Sequence, residues 1–113
     1  MRATTISPDD FDRVDLRVGT ITGAEPNAKA RKPAYLLSID LGPLGTKTSS
    51  SQLTDLYEPA TLLGRQVVCV CNFAPKRVAG VKSEVLVLGA SDGTGCVVLA
   101  EFTQAVPNGT QLS

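Results

Sequence analysis

Residues 72–90, which read NFAPKRVAGVKSEVLVLGA, offer the clearest chemistry in this chain. They bring three cations to a short polar stretch between two apolar runs. Phosphate oxygens are bound by charged and amide donors on a firm loop, and this segment supplies such donors next to a Pro and a Gly. Taken alone, a run of charge is more often a solvated surface loop. The candidate binding residues are Asn72, Pro75, Lys76, Arg77, Gly80, Lys82 and Ser83.

A second polar segment, TKTSSSQ, covers residues 46–52. Its side chains are small or polar at every position, so it offers hydrogen-bond donors and acceptors rather than a core face. We expect Lys47, Ser50 and Gln52 to extend the binding face formed by the basic segment.

The sequence gives little support for catalysis or for a metal site. It contains no His, so the commonest general base and metal ligand is missing. Cys69 and Cys71 lie in an apolar run, where burial raises a thiol pKa and makes the thiol inert. Three cysteines also form neither a disulfide framework nor a tetrahedral ligand set. We therefore expect a protein that is not an enzyme and that uses no metal or cofactor.

The positive charge is local rather than global. Eleven basic residues balance eleven acidic ones, so net charge does not direct the chain to nucleic acid or membrane. The stretch from Arg65 to Lys82, however, contains no acid. No apolar run reaches the ~18 residues of a membrane span, and the first ten residues hold no hydrophobic signal region. We expect a cytoplasmic protein without membrane insertion.

Alternating apolar residues predict a succession of strands. Residues 14–25 alternate until the apolar phase slips just past Gly19, which indicates a β-bulge. Residues 34–41 place every second side chain on one apolar face, namely Tyr35, Leu37, Ile39 and Leu41. The turn GPLG leads into the polar strand TKTSSS. The runs QVVCVCNF, EVLVLGA and VVLAEF predict the remaining strands, with an additional strand at the terminus.

Between the third and fourth strands, residues 52–64 predict a short helix. Ser51 is expected to cap it, Pro59 to interrupt it and Gly64 to end it. A curved first strand, an inserted helix and a length of 113 residues favour an all-β fold: a five-stranded Greek-key OB-fold barrel. An immunoglobulin-like sandwich is the competing fold, but it needs more strands and no helix. The whole of residues 1–113 is expected to form this single domain.

The OB-fold gives two loops a special place. The loops that follow the first and fourth strands flank the ligand-binding face. Here they read EPNAKARKPA and APKRVAGVKS, and they hold most of the basic residues. The first loop therefore predicts a secondary basic site made of Lys29, Arg31 and Lys32.

Two strands are apolar at every position, in the runs VVCVC and VLVL. Both faces of such strands need cover. We expect a homodimer in which the outer face of the barrel and the terminal extensions form a two-fold interface. The alternative is that the terminal segments cover the barrel within one chain.

The motif N-F-A-P-K-R-V-A-G-V-K-S-E-V-L-V-L-G resembles the signature of the tRNA-binding-domain family. F-x-x-V-D-L-R-V-G, T-x-S-S-x-Q and the closing V-P-N-G extend the resemblance over nearly the whole chain. Within that family, the chain resembles the free-standing protein-export chaperones of CsaA type. The resemblance implies a homodimeric OB-fold, and it adds Glu84 to the candidate site residues.

The resemblance also implies two functions that remain open at this point. The first is a chaperone that binds unfolded or precursor polypeptides and meets the export machinery during secretion. The second is a free-standing protein that binds structured tRNA. We place the chaperone first, because the fully apolar strands favour apolar clients, and because few aromatic residues are present to stack on bases.

Overall fold

The structure, a computed structural model, describes residues 4–78 and 80–113. Met1, Arg2, Ala3 and Ala79 lie outside the described residues, so the structure covers the first ten residues and the basic loop APKRVAGVKS only in part. The helices are α1 (Pro8–Asp12) and α2 (Pro59–Leu62), with a 3-10 turn at Gly42–Leu44. The strands are β1 (Leu16–Pro26), β2 (Tyr35–Asp40), β3 (Thr46–Ser51), β4 (Gln66–Val70), β5 (Lys76–Val78), β6 (Val81–Ser83), β7 (Leu86–Val87), β8 (Gly89–Ser91) and β9 (Val97–Leu99).

The main sheet confirms the predicted barrel. Its strands lie in the order β3-β2-β1-β4-β7, and all neighbours are antiparallel. The two edge strands of this sheet, β3 and β7, approach each other and nearly close the barrel. The carbonyl of Thr48 on β3 accepts hydrogen bonds from the amides of Glu84 and Val85, just before β7. An almost closed barrel of five antiparallel strands with a helix between the third and fourth is an OB-fold.

The long first strand bends two residues later than the sequence suggested. The register between β1 and β2 shifts between Ile21 and Gly23, not at Gly19. The glycine at position 19 has another purpose, since a Cβ there would lie 2.5 Å from the side chain of Ile39. Gly19 thus allows close packing of β1 on β2, and the irregularity that curves the strand follows it.

The second strand shows the predicted alternation. Tyr35, Leu37, Ile39 and the following Leu41 are buried, while the residues between them are half-buried. These side chains form the centre of the core together with residues of β1, β4 and α2.

The predicted helix begins later than expected. Ser51 is the last residue of β3 and caps no helix, and residues 52–58 form an irregular connection with one turn. The α2 helix begins at Pro59, with Glu58 as its N-cap. Proline suits the first turn of a helix because the amide it lacks has no partner there. Pro59 therefore starts the helix rather than interrupting it.

The V-P-N-G segment fastens the end of the chain to the barrel. The Gln66 side chain donates to the carbonyl of Val106 and accepts from its amide, and Asn108 Oδ1 accepts from the Thr20 hydroxyl at 2.7 Å. Gly109 has a φ of 87° and lies against the Leu41 carbonyl. A Cβ at residue 109 would lie 2.5 Å from that carbonyl, so glycine is needed for this close approach. The V-P-N-G motif therefore holds the C-terminal segment against the barrel.

The same segment changes the argument for a dimer. Every apolar residue of β4 from Val67 to Val70 is buried within a single chain. An isolated bridge between Val67 and Glu101, together with the contacts of Gln66, places the C-terminal segment beside β4. β4 thus needs no second chain to bury its apolar residues. Within residues 4–78 and 80–113, no helix is long and apolar enough to cross a membrane.

Candidate binding groove

The basic segment after β4 forms a hairpin rather than an open loop. β5 and β6 pair in the register Lys76 with Ser83, Arg77 with Lys82, and Val78 with Val81. Since side chains alternate across a strand, this register separates the three cations of the hairpin. Lys76 shares one face with Val78, and Arg77 and Lys82 share the opposite face. All three basic side chains are exposed.

One face of the hairpin borders a broad groove of about 730 Å³. The loop at residues 27–34 forms the other wall, and the end of β3 forms the floor. Four cations line the groove, and no acidic side chain of the described residues does: they are Lys29, Arg31, Lys32 and Lys76. Ser50 and Gln52 supply the polar floor. The structure thus brings together the secondary basic loop, two of the three predicted residues of the polar strand, and Lys76.

A smaller, mainly apolar pocket of about 340 Å³ adjoins the groove. The two share Ser50, Lys76 and Val78. Apolar side chains form most of the pocket wall, among them Phe73, Val85 and Leu86. Phe73 and Leu86 are 56% and 46% exposed, which is high for large apolar residues. A ligand that extends from one cavity to the other meets positive charge and apolar surface in succession.

Other predicted residues hold the hairpin against the barrel. Ser83 Oγ accepts a hydrogen bond from the Ser50 amide at 3.0 Å. The Glu84 carboxylate accepts from the Thr48 amide at 3.2 Å and from the Thr48 hydroxyl at 3.1 Å. Lys47 Nζ lies 3.8 Å from the same carboxylate. These contacts join the hairpin to β3 at the point where the barrel closes.

The remaining predicted residues lie at the margins of the site. The Asn72 side chain donates to the Arg13 carbonyl at 2.7 Å and accepts from the Asp15 amide at 2.9 Å, so it fastens the N-terminal segment. Pro75 lines a different cavity of about 300 Å³. Gly80 has a φ of 80° at the hairpin turn, a conformation that favours glycine.

The cavity beside Pro75 contains a thiol but no activated nucleophile. Cys71 lines it together with Lys47 and Glu84. Burial, and then the nearby charge of Asp15, raise the pKa of the Cys71 thiol. A raised pKa keeps the sulfur protonated at neutral pH, so this cavity offers a polar wall and not a reactive thiolate.

Sequence reasoning missed the apolar half of the site. The sequence places Phe73, Val85 and Leu86 in predicted strands and Val78 in the basic loop, so none of them is a candidate site residue. The available signal was the position of Phe73 and Val78 on either side of the basic run, within the segment that the fold projects from the barrel. The exposure of Leu86 depends on tertiary packing, which its apolar neighbours conceal in sequence.

The fold and the groove define an OB-fold module with a candidate binding groove between its first loop and the hairpin after its fourth strand. The tRNA_bind family, described as a tRNA binding domain, matches residues 16–111. The chain belongs to this tRNA-binding-domain family.

Two solved structures are similar to the chain over nearly its full length. The crystal structure of chaperone CsaA from Bacillus anthracis is 52% identical, with a TM-score of 0.91, and the match covers 97% of this chain and 100% of that one. The CsaA chaperone protein from Picrophilus torridus is 40% identical, with a TM-score of 0.88, and the match covers 96% and 100% of the two chains.

Curated relatives are much longer proteins. Methionine–tRNA ligase 1 of Bacillus anthracis is 39% identical over 113 aligned residues, which cover 98% of this chain. The chain spans only 16% of the length of that relative. The likeness therefore concerns one binding domain and does not extend to the rest of the ligase.

Proposed function

We propose that the protein is a molecular chaperone that binds unfolded or precursor polypeptides during protein secretion. The observation that carries this proposal is the apolar pocket of Phe73, Val85 and Leu86 beside the cationic groove. An unfolded segment presents apolar side chains and backbone together, and this composite surface complements both. The similarity to two CsaA chaperones over their whole length supports the same function.

A second function, binding of tRNA, is favoured by the charges. Lys29, Arg31, Lys32 and Lys76 face the groove, while Arg77 and Lys82 extend the positive surface to the outer face of the hairpin. A polyanion large enough to contact both faces of the hairpin would use all six cations. An extended polypeptide held in the groove would use only the inner set.

One titration distinguishes these functions. Reduced, carboxymethylated α-lactalbumin, which stays unfolded, and tRNA are each titrated at low and at physiological salt. Binding of tRNA is expected to weaken steeply, with a slope of about −0.7 to −0.9 in log K per neutralised phosphate. Binding of the unfolded polypeptide is expected to change less, because it meets fewer of the cations than a continuous phosphate backbone does and because its apolar contacts are not screened by salt.

Two single variants give the matched control. Lys76→Ala removes a cation inside the groove, and Lys82→Ala removes one from the outer face of the same hairpin. We expect Lys76→Ala to weaken polypeptide binding roughly twofold to fivefold, as for an exposed charge, and Lys82→Ala to leave it unchanged. Both substitutions are expected to weaken tRNA binding. Absence of polypeptide binding in the unaltered protein contradicts the chaperone proposal, and absence of both contradicts both functions.

The chaperone is further proposed to act as a cytoplasmic homodimer that delivers its clients to the export machinery. The free thiols of Cys69, Cys71 and Cys96 suit a reducing compartment. For the interface we propose the outer face of the β8–β9 hairpin, where Ala90 and Val98 are directly opposite each other and both are exposed. Val98 is 43% exposed, and an apolar cross-strand pair of this kind suits a two-fold contact.

A further inference from the structure

The floor of the groove contains an unused stretch of strand edge. β3 pairs with β2 along one edge, and its other edge meets the hairpin at Thr48. There the amide, the carbonyl and the hydroxyl of Thr48 are all hydrogen-bonded to residues 82–85. At Ser50 the hairpin still contacts β3 through the Ser83 side chain, and Ser50 and Gln52 line the groove.

The direction of the groups at Ser50 follows from one hydrogen bond. The Ser50 amide donates to Ser83 Oγ on the hairpin side and not to β2. In an antiparallel pair the amide and the carbonyl of one residue point to the same side. The Ser50 carbonyl therefore also points away from β2, toward the groove. Among residues 4–78 and 80–113, neither this carbonyl nor the Gln52 amide has a hydrogen-bond partner.

These two groups specify how a further strand would pair. In a parallel ladder, one residue of the added strand donates its amide to residue i−1 and accepts from the amide of residue i+1. The Ser50 carbonyl and the Gln52 amide flank Ser51 in this way. An antiparallel strand could also reach these two groups, but through two different residues, one of which would lack the Ser50 amide that Ser83 already occupies. In the parallel arrangement a single residue satisfies both groups and needs no third bond. The free pair thus favours parallel addition.

We propose that the groove holds its polypeptide as an added β-strand, parallel to β3, with acidic side chains toward the basic loop. The inference rests on the proposed chaperone function and specifies its mode of binding. Main-chain hydrogen bonds are independent of sequence, as a protein with many clients requires. Charge complementarity with Lys29, Arg31 and Lys32 selects segments in which acidic residues alternate with apolar ones.

Backbone methylation tests this mode without changing side chains or charge. An eight-residue peptide of alternating Glu and Val is prepared with N-methyl groups on all Val residues, on all Glu residues, or on none. The alternation fixes which edge of the peptide faces β3. We expect one methylated peptide to lose at least roughly tenfold in affinity, because its inward amides are blocked, and the other to bind like the parent. Equal losses, equal retention, or no binding of the parent peptide would overturn the proposal.

A substitution in the protein tests the location. Gln52→Pro removes the amide on the open edge, and Gln52→Ala keeps it while deleting the same side chain. Peptide affinity is expected to fall roughly fivefold or more in the proline variant alone, with thermal melting used to confirm that both variants are folded. Equal affinities in two folded variants would place the peptide elsewhere. If carboxymethylated α-lactalbumin still binds while these effects are absent, the chaperone function stands and the strand mode fails. If the same variants impair tRNA binding but not peptide binding, RNA is the ligand of this edge.

Discussion

At the scale of single residues, the structure divides the polar side chains into those that face the groove and those that hold the fold. Lys76 and Arg77 are adjacent in sequence, yet only Lys76 lines the groove. Asn72 and Glu84 lie in the same motif, but their side chains are engaged by Arg13, Asp15 and Thr48. A shared motif thus does not imply a shared role.

Cys69 provides a prediction of pH dependence. Its side chain is fully buried, and burial, followed by the charge of Cys71, raises the pKa of its thiol from 9.0 to about 12. In the unfolded chain the thiol ionises near its ordinary pKa. The stability that this thiol contributes is therefore fully present below pH 9 and is lost as the pH rises toward 12.

The slope is open to measurement. Above pH 9 we expect this group to lower the free energy of unfolding by up to about 1.4 kcal/mol per pH unit. Urea unfolding at pH 8 and at pH 10 gives the change for the parent and for Cys69→Ala. The variant is less stable at both values because of its cavity, but its decline with pH should be shallower. If the free energy of unfolding falls equally between pH 8 and pH 10 in both proteins, Cys69 is not responsible for the loss of stability at alkaline pH.

At the scale of elements, the junction between β3 and the hairpin uses side chains as well as backbone groups. Glu84 accepts two hydrogen bonds from Thr48, where continuous pairing of β3 with β7 would have used backbone groups. Lys47 adds only a half-exposed ion pair at 3.8 Å. The hydrogen bonds of Glu84 therefore contribute more to the free energy of unfolding than its ion pair does, since exposed ion pairs are worth roughly 0–1 kcal/mol.

Substitutions at this junction separate the two contributions. Glu84→Ala leaves the Thr48 amide without an acceptor, and we expect the free energy of unfolding to fall by about 1–3 kcal/mol. Glu84→Gln keeps an acceptor oxygen and should cost less than Glu84→Ala. Lys47→Ala should cost about 1 kcal/mol or less. Chemical denaturation measures all three. A loss for Lys47→Ala equal to that for Glu84→Ala would mean that the ion pair dominates.

Elements with regular patterns were predictable from sequence, and junctions were not. The alternation of β2 is a local property, so it predicted the buried face of Tyr35 and Leu37 correctly. The predicted start of α2 was wrong. Residues 52–58 have apolar side chains at helical spacing, but in the structure Leu53 packs in the core from an irregular segment, and the helix begins only at Pro59. Lys76 and Arg77 lie on opposite faces of the hairpin because of its strand register. The sequence of this segment, with its Gly and Pro, does not determine that register.

At the scale of the whole molecule, the dimer remains a proposal, and the apolar strand β4 no longer supports it. Since one chain already buries β4, only exposed apolar side chains such as Val98 still argue for a partner. Much of the groove, by contrast, was predictable, since the OB-fold fixes where its loops lie and the sequence places Lys29 to Lys32 in one of them.

Sedimentation tests the dimer directly. The parent protein is expected at twice the chain mass of 11.8 kDa at micromolar concentration, and Val98→Glu at one chain mass, because burying a carboxylate in an apolar contact is unfavourable. Leu44→Glu, at a similarly exposed residue of the 3-10 turn, serves as the control and should sediment like the parent. A parent of one chain mass rules out the interface.

The anchoring of the C-terminal segment has a consequence for biosynthesis. Val18 on β1 donates its amide to the carbonyl of Thr110, and the amide of Leu112 donates to Leu16. β1 thus finds its last hydrogen-bond partners only when residues 106–112 have left the ribosome. Final closure of this barrel therefore waits for that segment, and a nascent chain stalled before Val106 would expose an incomplete sheet.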